Sequence, residues 1–555
     1  MHPITRRRFF DLSGKAALTL GAARLLPLPL AAQETAPGIR EIDAFVNRHI
    51  REMGAPGLTL GLADRSGPIA VRTYGHTDVK SGRPVSPDDL FEIGSITKSF
   101  VGLCLLQLRE QGKVDLHRPI RDYLPWLRIE SKYAPITVHH LLTHTSGLPN
   151  PLSLPATPLW TAHPPGDHFH YCNAGYEILG FLLRTLDGRP LGEIFRARIF
   201  EPLGMTASSG VISHEIRPRL AQSYWPVYDD RPFQRHGPLT EAPNLVMDNA
   251  AGCIASTPRD MALYMKMLLN QGQPLISKES FSLFTTPAIP SPGFGEGAGY
   301  GYGIAIQPVE GRRILRHTGG MVSFSSAMHV DLDVGIGAFA SVNASLAGYR
   351  PNAVAAYSLA ALRAVRGGQT APPAPPAEDP YKVPNPADFA GTFTAPDGRQ
   401  LTLAAAGDRL ELVHKGERLP LERIGPDAFW VSDPAFALHP LVFEREGGKV
   451  VEASHGADWY TGAGYKGPKT FEPQPGYRAY AGHYRNEDPW MGSVRVVLRK
   501  GRLWMGGAPL VPLGDGLFRI GEEEHQPDRV LFTDVFNGGA MRAYLSGTEF
   551  RRVET

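Results

Sequence analysis

Apolar and polar positions follow two rhythms along this chain, and the change between them divides it. Gly38 to Met53 carries apolar residues at helical spacing, and Gly57 to Val79 reads as two strands joined by a turn at Asp64-Arg-Ser-Gly67. An apolar segment from Val101 to Leu108 follows, with Gly112 as a C-cap, so a helix is expected from near Ser95 to about Gly112. Residues 120 to 260 read as loops and short helices, among them Ile194 to Phe200. The best-marked helix runs from Thr257-Pro-Arg-Asp260 to Leu269, with a capping threonine and a proline at its first position. Near Tyr300 the rhythm turns to strands, Tyr302–Val309, Arg313–His317, Ser325–Val330 and Gly335–Val342, before a closing helix from Ala353 to Ala364. Strands at both ends around helices predict one antiparallel sheet with helices packed on it, an α/β (α+β) domain.

Ala371-Pro-Pro-Ala-Pro-Pro-Ala377 is a stiff, extended linker by composition. Beyond it short alternating strands dominate, and the chain repeats. Phe389-Ala-Gly-Thr-Phe393 is matched by Tyr480-Ala-Gly-His-Tyr484, Arg409-Leu410 by Arg502-Leu503, and Leu421 by Leu513. Two all-β units are expected, most simply small antiparallel barrels or curled sheets. The boundaries read as 1–32 for a leader, 33–366 for the mixed domain, 367–382 for the linker, and 383–470 and 475–555 for the two barrel-like domains.

At 555 residues the chain is too long for one core, and 42% hydrophobic with 20% charged is the composition of a soluble globular protein. The net charge of +2 is concentrated at the N-terminus, where Arg6, Arg7, Arg8, Lys15 and Arg24 face only Asp11. The remainder is slightly acidic, which argues against nucleic acid or an anionic membrane as partner. Thr5-Arg-Arg-Arg-Phe-Phe10, an apolar stretch from Ala16 to Leu30 and Ala31-Ala32 have the order of a twin-arginine signal, so export to a bacterial periplasm is expected. Arg24, Pro27 and Pro29 inside that stretch count against a stable membrane span. Cys104, Cys172 and Cys253 make no disulfide framework and read as buried thiols.

Candidate chemistry begins at Ser95-Ile-Thr-Lys98. Residues three apart share a helix face, so the lysine amine can reach the serine hydroxyl. A hydroxyl is a poor nucleophile until a neighbour takes its proton, and a lysine whose pKa is lowered by its pocket can do so. The helix N-terminus adds unpaired N–H groups that favour developing negative charge. Tyr171-Cys-Asn173 offers a phenol to carry a proton, its pKa lowered by the ammonium, and an amide to hold a carbonyl or orient Lys98. Arg316-His317-Thr318-Gly319-Gly320 offers a strand end whose glycines let substrate approach the backbone, with an N–H to pair with that of Ser95 as an oxyanion hole. His317 is placed to bind a carboxylate or assist Tyr171.

Taken together and in order, Ser-x-x-Lys, Tyr-x-Asn and His-Thr-Gly resemble the β-lactamase-like serine hydrolases, which comprise class C β-lactamases, DD-peptidases, D-aminopeptidases and related esterases. The stretches Ile136 to Leu148, Pro202-Leu-Gly-Met205 and Ala250 to Asp260 belong to the same likeness, which covers about residues 38 to 365. The resemblance implies Ser95 as acylated nucleophile, Lys98 as its base and Tyr171 as proton shuttle. It implies Asn173, His317, Thr318 and Gly319 as substrate-binding residues, and the backbone N–H groups of Ser95 and Gly320 as oxyanion hole. No cofactor or metal is called for. His317 departs from the lysine usual in β-lactamases of this type, and together with two trailing β-barrels it makes the chain look more like the D-aminopeptidases and esterases. The expected function is therefore an exported peptidase or esterase that acts on a small-molecule or peptide substrate, with self-association into a homo-oligomer expected as well. The alternatives are a class C-like β-lactamase or DD-carboxypeptidase, and a non-catalytic, penicillin-binding-like binding protein. His139, His140 and His144 crowd together as metal ligands would, but no glutamate-containing zinc motif accompanies them. An α/β-hydrolase would need Gly-x-Ser-x-Gly, which is missing.

Overall fold

The computed structural model describes residues 38–151, 153–155, 157–231, 237–346 and 349–553. The signal read over residues 1–32 lies outside them. The central sheet has nine strands and is antiparallel throughout. Both ends of the mixed domain build it: β1 (Gly57–Asp64) and β2 (Pro68–Asp78) pair beside β3 (Ala305–Val309), β4 (Arg312–Gly320), β5 (Ser325–Asp331) and β6 (Ile336–Val342), with Leu60 opposite both Arg72 and Ala340. Every residue of β5 and β6 is buried. Strands covered on both faces lose the apolar–polar alternation of a half-exposed strand.

Helices α1 (Ile39–Met53) and α5 (Asn352–Arg366) cover one face, and α4 (Pro258–Leu269) covers the other. The Thr257 hydroxyl caps α4 by accepting the Asp260 N–H. That helix lies close because β1 carries Gly61, where a Cβ would stand 2.2 Å from the Pro258 carbonyl oxygen. Helix α2 (Thr97–Glu110) is buried from Thr97 to Leu108, with Phe100 stacked on Tyr264 at 4.0 Å. A helix apolar on all sides belongs in a core.

One expectation needs correction. The region 120–260 holds, besides loops and short helices, the fifteen-residue α3 (Asn173–Asp187). Its signals were the spacing of Tyr176, Leu179, Leu182 and Leu183 and the left-handed C-cap Gly188. Its start is obscured because Cys172, not a serine or aspartate, is the N-cap, the thiol accepting the Gly175 N–H at 3.3 Å. The run Ile194 to Phe200 is helical as expected, α-helical from Leu191 to Phe195 and π-helical from Arg196 to Phe200.

Beyond the linker stand two closed barrels of eight strands each, Gly391–Thr394 through Asp458–Thr461 and Gly482–Arg485 through Thr548–Arg552. They close by pairing Thr394 with Thr461 and Tyr484 with Arg552. The repeated aromatic positions Phe393 and Tyr484 both point into a core. The third match does not hold in three dimensions: Leu421 is buried, whereas Leu513 is 44% exposed and Leu510 does its work. The second barrel is tied to the mixed domain by Arg485 on Asp229 (3.1 and 2.6 Å), by Trp160 Nε1 donating to the Pro527 carbonyl (2.8 Å), and by the Arg529 guanidinium over the Trp160 ring. The three cysteines are free and buried. Among the described residues no helix is long and apolar enough to cross a membrane.

Candidate active site

Ser95 sits in a tight 3-10 turn (Gly94–Ile96) that feeds directly into α2, so Lys98 lies on the first turn of the helix. Gly94 has a positive φ of 52°, and a Cβ there would stand 2.8 Å from the Gly320 nitrogen. This close approach sets the Ser95 turn against the end of β4.

Lys98 is fully buried, and among the described residues no carboxylate pairs with its ammonium. It donates to Ser95 Oγ at 3.0 Å, to Asn173 Oδ1 at 2.8 Å and to the Ala251 carbonyl at 2.8 Å. Burial brings its pKa down from the usual lysine range to about 7. Two of the three partners only accept, so a neutral amine turns two N–H bonds to them and its lone pair to Ser95. The Ala251 carbonyl is held in place by close packing below it: a Cβ on Gly180 of α3 would lie 2.8 Å from that of Ala250.

Tyr171 precedes α3, and the Lys98 amine lies 4.9 Å from the centre of its ring. Burial raises the phenol pKa, with the Ser95 hydrogen bond and Arg350 opposing. This corrects the expectation of a lowered phenol pKa, because desolvation outweighs the neighbouring positive charge. Asn173 is the first residue of α3. Its side chain receives Lys98 and its N–H is held by Asn150 Oδ1 at 2.7 Å. His317 is buried and neutral, its pKa depressed to about 3 by desolvation and Lys98. Its Nδ1 faces the Thr318 carbonyl at 2.7 Å, and its Nε2 faces the Tyr300 hydroxyl at 2.9 Å. The imidazole therefore brings no charge to a carboxylate.

A cavity of about 320 Å³ joins these groups, with Ser95, Tyr171, Asn173, His317, Thr318 and Gly320 in its walls. Gly319 is absent from those walls. A Cβ there would lie 1.9 Å from the Ile93 carbonyl oxygen, so this glycine lets β4 meet the segment before Ser95 and does not serve substrate approach. Arg350, Phe294 and Trp490, which sequence reasoning missed, also line the cavity, beside Met247, Asn249, Ala251, Gly252 and Met321. Arg350 is a second cation; it reaches Ser325 Oγ at 3.2 Å and the Tyr349 carbonyl at 2.7 Å. Trp490 comes from a loop of the second barrel, about 320 residues beyond Tyr171, and no local pattern announces it. A larger cavity of about 720 Å³ between the barrels brings no lysine to a serine.

The clustered histidines are otherwise engaged. His139 Nδ1 meets the Tyr302 hydroxyl at 2.9 Å, His140 Nδ1 receives the Thr137 N–H at 3.1 Å, and His144 Nδ1 receives the Cys172 N–H at 3.0 Å. His144 lies beyond the short helix Val138–Leu142 at a positive φ of 58°, which ends the helical i, i+4 relation. Among the described residues no group of three His, Cys, Asp or Glu is placed to hold a metal.

An antiparallel sheet flanked by helices, with a serine–lysine pair at a helix start beside an inner strand, defines a β-lactamase/transpeptidase-like fold. A family model described as Beta-lactamase matches residues 43–362, and the chain belongs to that family of serine hydrolases. Among its relatives is Protein Rv1367c of Mycobacterium tuberculosis, 30% identical over 284 residues, 43% of this chain and 70% of that one. Esterase EstB of Burkholderia gladioli is 30% identical over 206 residues, 31% of this chain and 52% of EstB, so the match spans about half the length of that esterase. The octameric penicillin-binding protein homologue from Pyrococcus abyssi superposes with a TM-score of 0.54 at 24% identity, covering 76% of this chain and 99% of that one, a likeness of fold.

Proposed function

We propose that the protein is an exported serine hydrolase that cleaves ester or amide bonds through an acyl-enzyme on Ser95. The observation that carries this reading is the Lys98 amine, 3.0 Å from Ser95 Oγ and titrating at about 7. Neutral Lys98 takes the hydroxyl proton as Oγ adds to the substrate carbonyl. The Ser95 and Gly320 N–H groups meet the negative charge on the carbonyl oxygen. The Tyr171 phenol, kept protonated by burial, gives its proton to the departing nitrogen or oxygen and recovers one from the Lys98 ammonium. Water then adds to the acyl-serine, its proton passes to the same pair of groups, and Ser95 leaves reprotonated.

For the substrate, a D-aminopeptidase-like peptidase or an esterase is the first reading. Neutral His317, the two trailing barrels and the likeness to EstB support it. A DD-carboxypeptidase or β-lactamase is the second, and Arg350 favours it. This cation is in the cavity wall, burial lowers its pKa, and none of the described wall residues is acidic. An anionic group beside the scissile bond has a partner there.

A fluorophosphonate probe followed by peptide mass spectrometry tests the chemistry. Wild type is expected to be labelled on Ser95 and Ser95→Ala to stay unlabelled; equal labelling of both would sink the assignment. Rates on p-nitrophenyl esters, D-aminoacyl anilides, acyl-D-alanyl-D-alanine and nitrocefin then rank the substrates. Export rests on the twin-arginine pattern. Changing Arg6, Arg7 and Arg8 together to lysine is expected to leave the protein in the cytosol, and unchanged periplasmic recovery would remove that part. Self-association is tested by light scattering of the purified protein, where a monomer at micromolar concentration removes it.

A further inference from the structure

The second barrel sends one carboxylate into the mixed domain. Asp528 stands just before the strand Arg529–Phe536 and is braced within its own barrel by the Ser546 hydroxyl, which donates to Oδ1 at 2.8 Å. The same oxygen accepts the backbone N–H of Asn150 at 2.9 Å, and the other lies 3.3 Å from His170 Nε2. Each of these partners is one step from the chemistry. Asn150 Oδ1 accepts the Asn173 N–H at 2.7 Å, and Asn173 Oδ1 accepts from Lys98, which donates to Ser95. His170 is the residue before Tyr171, and its own N–H is tied to the His144 carbonyl at 2.8 Å.

We propose that Asp528 is a positioning residue for the acylation site: from the second barrel it fixes the Asn150 loop and the His170–Tyr171 segment, and through them the Lys98 amine and the Tyr171 phenol. The inference rests on the proposed acyl-enzyme reading. Among the described residues the Asn150 loop is held near Asn173 by Cys172 Sγ, which donates to the Pro149 carbonyl at 3.1 Å, and by Asp528, which alone takes the Asn150 N–H. A displacement of about 1 Å in a catalytic group costs on the order of a hundredfold in rate. The barrel thereby becomes part of the catalytic scaffold, although none of its own groups reacts through this contact.

The test is the rate of Ser95 acylation by a fluorophosphonate, read on the full chain across pH. Asp528→Ala is expected to acylate about ten- to a hundredfold more slowly. Asp528→Asn, whose amide oxygen can still accept from Asn150 and Ser546, is expected to stay within about threefold of wild type. Asn150→Ala cuts one of the two branches one link further in and is expected to lose rate, by no more than Asp528→Ala. The double variant is expected to be no slower than Asp528→Ala, because the Asn150 branch is already lost there. Arg485→Ala, which breaks the separate Asp229 contact of the same barrel, is expected to acylate normally. A wild-type rate in Asp528→Ala, multiplying losses in the double variant, or an equal loss in Arg485→Ala would each overturn the inference. Should Asp528→Ala not fold, Asn150→Ala and His170→Ala, one for each branch, decide: wild-type rates in both overturn it. A wild type unlabelled on Ser95 removes the function itself, whereas labelled wild type with indifferent variants removes only the role of Asp528.

Discussion

Lys98 is a costly residue for this fold. An amine with no carboxylate partner among the described residues, buried from end to end, is held at about 7 by desolvation. Two outcomes follow from that value. The base must be neutral to act, so acylation of Ser95 is expected to rise about tenfold per pH unit below pH 7 and level off above it. Pseudo-first-order inactivation by a fluorophosphonate reads this directly, and a midpoint above pH 9 would mean that the amine stays charged. The second outcome concerns stability. The folded pKa lies below the unfolded one, so between about 7 and 10.5 the unfolded chain binds a proton that the folded chain does not. Stability conferred by this position therefore rises with pH across that window, and the melting temperature of wild type should gain on that of Lys98→Met from pH 7 to pH 10. The spacing that makes Lys98 meet Ser95 was legible in the sequence, because a helix turn is a local property. The role of Gly319 was not: its reason is the Ile93 carbonyl, 226 positions earlier, which only folding brings against it.

At the scale of elements, the cavity is a joint product of the Ser95 turn, the start of α3, the end of β4 and a loop of the second barrel. That loop contributes Trp490, whose backbone N–H donates to Asp488 Oδ1 at 2.8 Å and whose side chain, like that of Met247, packs against a cluster that includes Met321 and Phe324. A bulky side chain from another domain limits the size of what can lie beside Ser95. Trp490→Ala is expected to leave acylation by a small acetyl ester within about threefold and to improve kcat/KM at least about tenfold for a long-chain or aromatic ester, mostly through KM. Parallel kinetics on p-nitrophenyl acetate and p-nitrophenyl octanoate check it; an unchanged ratio between the two would exclude Trp490 from selectivity. Strands and amphipathic helices were readable because their period is written locally. Helix α3 escaped because a cysteine caps it and two glycines, Gly175 and Gly180, interrupt its apolar stripe.

Across the whole molecule, several imidazoles are buried in neutral form. Desolvation depresses His317 and His329 to about 3 and takes His144 well below its usual range. The unfolded chain takes up these protons near pH 6.5 and the folded chain does not, so stability falls as pH drops from 6.5 toward 3. At pH 5 each such residue costs up to about 2 kcal/mol. Glu92 works the other way. Burial raises it to about 8, so it stays protonated when folded and gains relative stability as pH falls toward 4.5, offsetting about one of the three. A melting temperature clearly lower at pH 5 than at pH 7 is the expected outcome of calorimetry, and a flat or rising curve would show that these rings can be charged in place.

The division of labour has a physical cause. Periodicity, capping residues and short spacings depend on neighbours a few bonds away. They suffice to specify the antiparallel sheet with its helices, the two β-units and the serine–lysine pair. The neutral state of His317, the cation Arg350, the Trp490 wall and the Asp528 brace depend on desolvation and on contacts across hundreds of residues. Only the packed chain determines which groups lose their water and which distant segments meet.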